Sequence, residues 1–433
     1  MSCQKVPGIL YIYFVTLLII ISSYKSKQKG VFIEPGVYGL FHLQVSGNLR
    51  DGSSGMNLKI GIVTEYYYPL LGGISEHVHN TAMRLRQRGH IVKIITSHLN
   101  EGQNGTKPAA EIIRIGRSAA ILNNGSLARI TLGRHLFDEL RRVLDEEKFD
   151  LIHVHSPLVP TLPMFALRVA KCPTVGTFHT FFDKRCFLGK IGYTLLNGPT
   201  QKLLIDKLTG QIAVSQSCID ALAPFFRINA RIIPNGVDIS EFSPAVPKLP
   251  QFDDGKKNLL FLGRLDPRNG FSFMVQAFGI IKSRFPNVRL IIVGDGPLRR
   301  YYKHLVPEDL IGDIHLVGPI LEERNRYYST ADVFCSPVEM ASFGITLLEA
   351  MASGTPIVAT DNCGYRELLE EKEGFLVPPH DAVAFAERVL TLLNNPALSD
   401  EMGGNGREKA IGYSWDKVTD SLVQFYEELL YGR

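Results

Sequence analysis

The chain has 433 residues, of which 45% are hydrophobic, 21% charged and 9% aromatic, with Gly 39 and Pro 24. This composition is globular and excludes a disordered, collagenous or coiled-coil chain; the length suits two or three domains, each with its own core. The net charge of +4 hides an asymmetry: Met56–Ser240 carries 22 basic and 14 acidic residues (+8), Glu241–Arg433 carries 20 and 27 (−7), and the first 55 residues add +3. A basic front half suits an anionic partner, with chance partition of surface charge as the bland alternative.

The first feature along the chain is the apolar run Ile9–Ile21, preceded by Lys5 and followed by Lys25, Lys27 and Lys29. It is short of the roughly 20 residues a membrane helix needs and near the length of a signal-peptide core, but no small-x-small cleavage site follows it. As a single anchor it would leave the remainder in the cytoplasm, because the lysines lie behind it. The alternative is that translation starts at Met56, directly before the first strong strand, so that residues 1–55 are not part of the protein. Six cysteines (Cys3, Cys172, Cys186, Cys218, Cys335 and Cys363) include no CxxC pair. They form neither a disulfide framework nor a zinc site, which fits a reducing, cytosolic setting.

From Met56 onward, short Val/Ile-rich runs alternate with amphipathic ones. The segments 59–64, 91–96, 111–116, 150–155, 174–179, 211–215 and 230–235 read as strands, with helices at Glu76–Arg88, Arg134–Glu147 and Lys202–Leu208. The runs do not alternate strictly, as expected for parallel strands covered on both faces. A second set follows at Leu259–Leu262, Arg289–Val293, Asp313–Val317, Asp332–Ser336 and Pro356–Thr360, with helices at Phe271–Phe285, Leu298–His304 and Thr346–Ser353. Between the sets, the Pro-rich stretch Ser243–Gly255 reads as an interdomain linker. Two doubly wound α/β domains place ligands at the carboxyl ends of their strands.

Several strand exits carry chemistry. Gly72 and Gly73 stand between the first strand and its helix, where bare backbone and free N–H groups suit an anion. The stretch Gly263–Gly270, GRLDPRNG, puts Arg264 and Arg268 at a strand end; Arg suits bidentate contact with phosphate. Val293–Pro297, with Gly294, is another glycine-rich exit. In Ala341–Ala352, Gly344 marks a helix start and Glu349 lies within the helix, where its carboxylate can accept two ribose hydroxyls. His179 closes the run Thr177–Thr180, placed to exchange a hydrogen bond with a substrate hydroxyl. His153 and His155 end another strand; they are assigned to opposite faces, so a shared metal is not expected.

In this order, the segments resemble the family-4 retaining glycosyltransferases of the GT-B fold, two doubly wound Rossmann-like domains facing across a cleft. The resemblance covers Met56–Arg433 and rests on strand–GG–helix, TFHT, IPNGVD, GRLDPRxG, VGDGP and SFGITLLEAMASGTP. The front half looks most like the phosphatidylinositol mannosyltransferase group, through GIVTEYYYPLLGGISEHV, LIHVHSPLVPTLPMFAL and VGTFHTFFDK. It implies an acceptor domain at 56–240, a nucleotide-sugar domain at 241–405 and a C-terminal helix at 406–433 that packs back on the first domain. It also implies transfer of a hexose from GDP-mannose or a UDP-sugar to a lipid or polyol acceptor, a phosphatidylinositol-like one above all. Arg264 would neutralise the leaving diphosphate, Glu349 would hold the ribose, and backbone around Gly72, Gly73, Gly294, Phe343, Gly344, Ile345 and Thr346 would complete the donor pocket. His179 would sit beside the reacting hydroxyl, with Tyr66 and Lys184 on the acceptor. No protein nucleophile, metal or cofactor is implied.

Two positions depart from the pattern. Asn269 stands where the family has a lysine at the diphosphate, and Ala341 where it has a glutamate eight residues before Glu349. Arg268 replaces the lysine only if its side chain bends inward. These departures keep open a catalytically silent nucleotide-sugar- or lipid-binding module, and a GT-B enzyme of another reaction, such as an epimerase. Arg84, Arg86 and Arg88, and the loop Phe181–Lys190 with its cations and aromatics, fit a peripheral contact with an anionic membrane at the inner face of the plasma membrane. No nucleic-acid motif is present, and that class of partner is not expected.

Overall fold

The computed structural model describes residues 57–70, 72–99, 110–123, 126–179, 198–296, 298–320 and 322–432. In chain order, the first half holds β1 (Lys59–Val63), α1 (Gly73–Gln87), β2 (Ile91–His98), β3 (Glu111–Asn123), β4 (Ser126–Leu132), α2 (Leu136–Glu147), β5 (Leu151–His155), α3 (Leu162–Val169), β6 (Thr174–Phe178), α4 (Gly198–Ile205), β7 (Gly210–Ala213), α5 (Gln216–Leu222) and β8 (Arg231–Ile232). The second half holds β9 (Lys257–Leu262), α6 (Phe271–Arg284), β10 (Val288–Val293), α7 (Arg299–His304), β11 (Ile314–Gly318), α8 (Arg324–Thr330), β12 (Val333–Ser336), α9 (Ile345–Ala352), β13 (Ile357–Thr360), α10 (Cys363–Arg366), β14 (Gly374–Val377), α11 (Ala382–Asn394), α12 (Pro396–Ile411) and α13 (Trp415–Tyr431).

Two sheets result, ordered β4-β3-β2-β1-β5-β6-β7-β8 and β11-β10-β9-β12-β13-β14. In each, the first strand lies between the second and a later one, so the winding reverses beside β1 and beside β9. Ligands of open α/β sheets bind at such reversals, beyond the carboxyl ends. The strands are buried on both faces: β5, β6 and β10 are covered along their whole length. Pairing is parallel, as in Ile60↔Val92 and Leu290↔Leu259, except at β3–β4, which is antiparallel. That exception corrects the all-parallel expectation. Strand β4 is an edge strand, with Leu132 exposed and Thr131 buried, so it lacks the apolar run that marks an interior strand.

The linker expectation also needs correction. Leu249 and Phe252 are buried in the core of the second sheet, so the Pro-rich stretch belongs to that body rather than spanning freely. The last two helices divide between the sheets. Gly406 of α12 lies against Met351 of α9. From α13, Trp415, Val418, Leu422 and Tyr426 share a core with Ile60 of β1 and Val78 and Leu85 of α1. The chain thus crosses twice, and the crossings meet at a bridge between Val237 and Ser414. Arg407 fastens them by donating to the carbonyls of Ile239, Phe242 and Ala352. Segments 57–185 and 200–433 belong to one compact unit, so contacts between the two sheets are features of one body.

Candidate active site

Two helix starts face each other. Helices α5, α10, α11, α12 and α13 begin at a side chain that caps the first turn. Helices α1 and α9 begin at Gly72 and Gly344 with no side-chain cap, and α2, α3, α6, α7 and α8 also lack one. Gly72 and Gly73 are exposed, and a Cβ on Gly72 would meet nothing within 4 Å. A Cβ on Gly73 would come 3.1 Å from Cδ1 of Ile345. The first turns of α1, from the first domain, and of α9, from the second, therefore lie against each other. Two positive dipole ends at one place suit a ligand with more than one anionic group.

Arg264 follows β9 at the reversal of the second sheet. Its side chain is 44% exposed and pairs with Asp266 at 2.9 Å. Tyr66 follows β1 and accepts a hydrogen bond from the Arg129 N–H at 3.0 Å. Burial raises the Tyr66 phenol, and among the opposing influences is the charge of Arg264, which places the two within electrostatic reach across the sheets. Asn269 donates from its amide to the Arg264 carbonyl at 2.7 Å. It fastens the arginine loop and brings no charge. Arg268 is half-buried, its Nε has no partner among the described residues, and it acts electrostatically on Tyr365. The Tyr365 ring packs against Gly344, and its hydroxyl bonds Thr346. Arg268 thus lies within electrostatic reach of the start of α9. Gly294 has φ 143°, and a Cβ there would lie 1.9 Å from the Gly263 carbonyl oxygen, so only glycine lets β10 exit beside the arginine loop. Phe343 is buried and serves the core rather than the surface of the cleft. Ala341 carries no carboxylate, and Glu339 faces His380 at 3.5 Å.

Glu349 is 3% exposed and accepts from Arg324 Nη2 at 2.6 Å and from the Tyr328 hydroxyl at 2.7 Å. Arg324 also reaches Glu76 of α1 at 3.4 Å, which in turn accepts from the Tyr68 hydroxyl at 2.6 Å. Burial works against the charge of Arg324, but Glu349 and Glu76 hold its pKa above the ordinary arginine value. One guanidinium shared by two carboxylates offsets only part of the cost of burying Glu349. Burial pushes Glu349 up to about 7 against the pull of Arg324. Sequence reading named Glu349 but missed Arg324, Tyr328, Glu76 and Tyr68. The available signal was position: Tyr68 and Arg324 follow β1 and β11, whose carboxyl ends face the cleft.

His179 directly follows β6 and is buried, its Nε2 2.8 Å from His155 Nδ1. His153 and His155 stack at 4.4 Å, on one face of β5. That corrects their assignment to opposite faces, since residues two apart along a strand share a face. His77, His155 and His179 are the one described trio whose ligand atoms lie within 4.8 Å of one another. The 2.8 Å between His155 and His179 is an N–H···N distance. Two nitrogens on one tetrahedral ion, with arms of about 2.0–2.1 Å, stand roughly 3.3 Å apart, so a proton rather than an ion joins them here. Lys184, the loop 181–190 and the apolar run 9–21 lie outside the described residues. No helix among the described residues is long and apolar enough to cross a membrane.

Two family models match the chain: "Glycosyltransferase Family 4" over residues 71–241 and "Glycosyl transferases group 1" over 244–409. The phosphatidyl-myo-inositol mannosyltransferase of Mycobacterium leprae is 34% identical over 374 residues, 86% of this chain and 96% of that protein. The alpha-monoglucosyldiacylglycerol synthase of Streptococcus pneumoniae is 25% identical over 73% of this chain and 74% of its own length. Among solved structures, Anabaena HepE with UDP-glucose has a TM-score of 0.69 at 17% identity, covering 86% of this chain and all of that one. The sucrose-phosphate synthase of Thermosynechococcus elongatus has a TM-score of 0.68 at 23% identity, covering 87% and 100%. The two reversed-winding sheets, the converging helix starts and the near full-length kinship agree: the chain belongs to the family-4 glycosyltransferases and is a glycosyltransferase of the GT-B fold.

Proposed function

We propose that the protein moves a hexose, with retention, from a nucleotide sugar to a phosphatidylinositol-like lipid. The convergence of the α1 and α9 N-termini at Gly73 and Ile345 carries this reading, since a sugar diphosphate presents the paired anionic groups such a place suits. Arg264 meets the diphosphate as charge develops on it. Gly72, Gly294, Gly344, Thr346 and the backbone at Phe343 shape the pocket, and Glu349 binds the ribose once freed from Arg324. His179 meets the acceptor hydroxyl, with Tyr66 and Lys184 on the lipid headgroup. The acceptor domain spans 56–240, the donor domain 241–405, and the segment 406–433 returns to the first. The protein works without metal or cofactor, peripherally at an anionic cytoplasmic membrane face, and takes no nucleic acid. The names of relatives that act on phosphatidyl-myo-inositol and diacylglycerol, and the basic excess of the front half, support the lipid acceptor.

Asn269 and Ala341 favour a second reading, a silent module that binds donor or lipid without turnover. One experiment separates the two. The protein is incubated with GDP- and UDP-sugars, with and without vesicles containing phosphatidylinositol, and free nucleotide and glycolipid are measured. Lipid-dependent release with a sugar-bearing lipid supports the transferase. Donor binding without release from any donor supports the silent module. Release that ignores lipid keeps the enzyme and removes the lipid acceptor.

A further inference from the structure

Four histidines meet beneath the cleft: His77 on α1, His153 and His155 on β5, and His179 after β6, all buried. Burial holds His77 at about 4, His153 at about 3, and His155 and His179 well below the usual imidazole range. Each ring is therefore neutral near pH 7, with one N–H and one lone pair. The partners of each ring then decide which nitrogen keeps the proton.

His155 Nδ1 and His179 Nε2 are 2.8 Å apart, and their ring planes differ by only 22° at a centroid separation of 5.1 Å. The rings lie edge to edge in nearly one plane, so a single proton sits between the two nitrogens. Either His155 or His179 donates it. If His179 donates, the proton of His155 must sit on Nε2. That atom is buried and has no hydrogen-bond partner among the described residues, so the arrangement would strand an N–H in the core, the rarer of the two defects. If His155 donates, only a lone pair is left there. His153 stacks on His155 at 4.4 Å and is held at both its nitrogens, by Tyr426 and Thr177, each at 2.6 Å. The plane of His155 is thereby fixed.

We infer that His155 is a positioning residue that locks His179 in the Nδ1–H tautomer, so that His179 offers a ligand a hydrogen-bond donor rather than a base. This deepens the acceptor-side role given to His179 above and rests on that role for its catalytic consequence. An Nδ1–H imidazole orients an acceptor or sugar oxygen. It does not remove the acceptor's proton, a task left to the departing phosphate oxygen in same-face attack.

The tautomer is read without substrate, from long-range 1H–15N correlations of the full chain labelled with 15N-histidine, with His179 assigned by loss of its signals in His179→Gln. The expected result is a protonated Nδ1 and a bare Nε2 on His179; a protonated Nε2 overturns the inference. Two variants test the consequence. His155→Asn keeps an N–H near the place of Nδ1, and His155→Leu removes it. With GDP-mannose and phosphatidylinositol vesicles, His155→Leu is expected to lower kcat about 10- to 100-fold, as loss of the outer-shell partner of a metal-bound imidazole does, with KM changed less than about twofold. His155→Asn should recover most of that loss. A folded His155→Leu with unchanged kcat, or one that loses only Tm, overturns the positioning role. A wild-type protein without turnover defeats the proposed reaction, while the tautomer measurement still decides this inference.

Discussion

Arg324, on the second domain, holds Glu349 at 2.6 Å with one guanidinium nitrogen and reaches Glu76 on the first domain with another, at 3.4 Å. The bridge joins the two sheets through a nearly buried cation. It also occupies the carboxylate proposed for the ribose, so a donor that used Glu349 would compete with the bridge.

Removing Arg324 leaves two carboxylates short of their cation. Breaking a buried pair from one side costs about 3–5 kcal/mol, and Arg324→Met is expected to lose about that much in urea unfolding. The double variant Arg324→Met/Glu349→Leu removes both charges and should regain part of the loss, because paired sites are not additive. A single variant within about 1 kcal/mol of wild type, the range of an exposed pair, would show that the bridge contributes little.

Glu349 gives stability a pH dependence of definite sign. Its ordinary value is 4.5, and burial raises it to about 7 in the folded protein. Between those values the folded state keeps a proton that the unfolded chain has released, so this group's contribution is full below about 4.5 and is lost as pH rises through about 7. Glu349→Gln removes that slope. The Tm of the variant minus that of wild type should therefore rise steadily from pH 5 to 7.5. A constant difference would mean that Glu349 is charged throughout, with Arg324 outweighing burial.

Glu367 makes a second bridge. Its two carboxylate oxygens accept from the Gln216 N–H at 2.7 Å and the Ser217 N–H at 2.6 Å, at the start of α5. Ser215 adds a hydrogen bond from its hydroxyl to the Ser342 carbonyl at 2.6 Å. A carboxylate from the second domain thus caps a helix of the first. Glu367→Ala is expected to cost about 1 kcal/mol, as loss of a helix cap does. The same variant should open the two domains, read as an increased radius of gyration in solution scattering. An unchanged radius with unchanged stability would assign no latching role to Glu367.

The strands that build the site were legible because interior parallel strands carry apolar runs, as at Leu290–Val293 within β10. The edge strand β4 was not, since polar Arg129 and Thr131 interrupt its apolar residues. The glycine exits were legible because Gly72, Gly294 and Gly344 sit where a side chain is excluded or unneeded. The Arg324 bridge was not, because a charged residue after a strand reads as solvated until tertiary packing brings Glu76 and Glu349, separated by 273 positions of chain, to the same guanidinium. The histidine cluster was half legible: His155 and His179 stood at strand ends, but His77, inside α1, gave no signal, and only the parallel β5–β6 pairing, with His155 opposite Thr177, sets His155 beside His179.

The departures from the family pattern give the last prediction. Asn269 ties the Arg264 loop through its amide, at 2.7 Å from the carbonyl, and leaves the proposed diphosphate place without the lysine of the family pattern. Asn269→Lys restores the charge and gives up the amide bond. Donors aimed at developing charge are worth about 10²–10³ in rate each, and part of that is offset by a looser arginine loop. An increase in kcat/KM of about tenfold is expected, carried by kcat if the charge acts on the departing diphosphate. Ala341→Glu adds a carboxylate beside the start of α9 and should raise turnover with the family's usual donor while weakening binding of the bare nucleoside diphosphate, through repulsion between like charges. If neither variant changes donor binding or turnover, the site has been rebuilt around Arg268, which already lies toward Tyr365 and Gly344. Arg268→Gln should then abolish donor binding in the wild-type background.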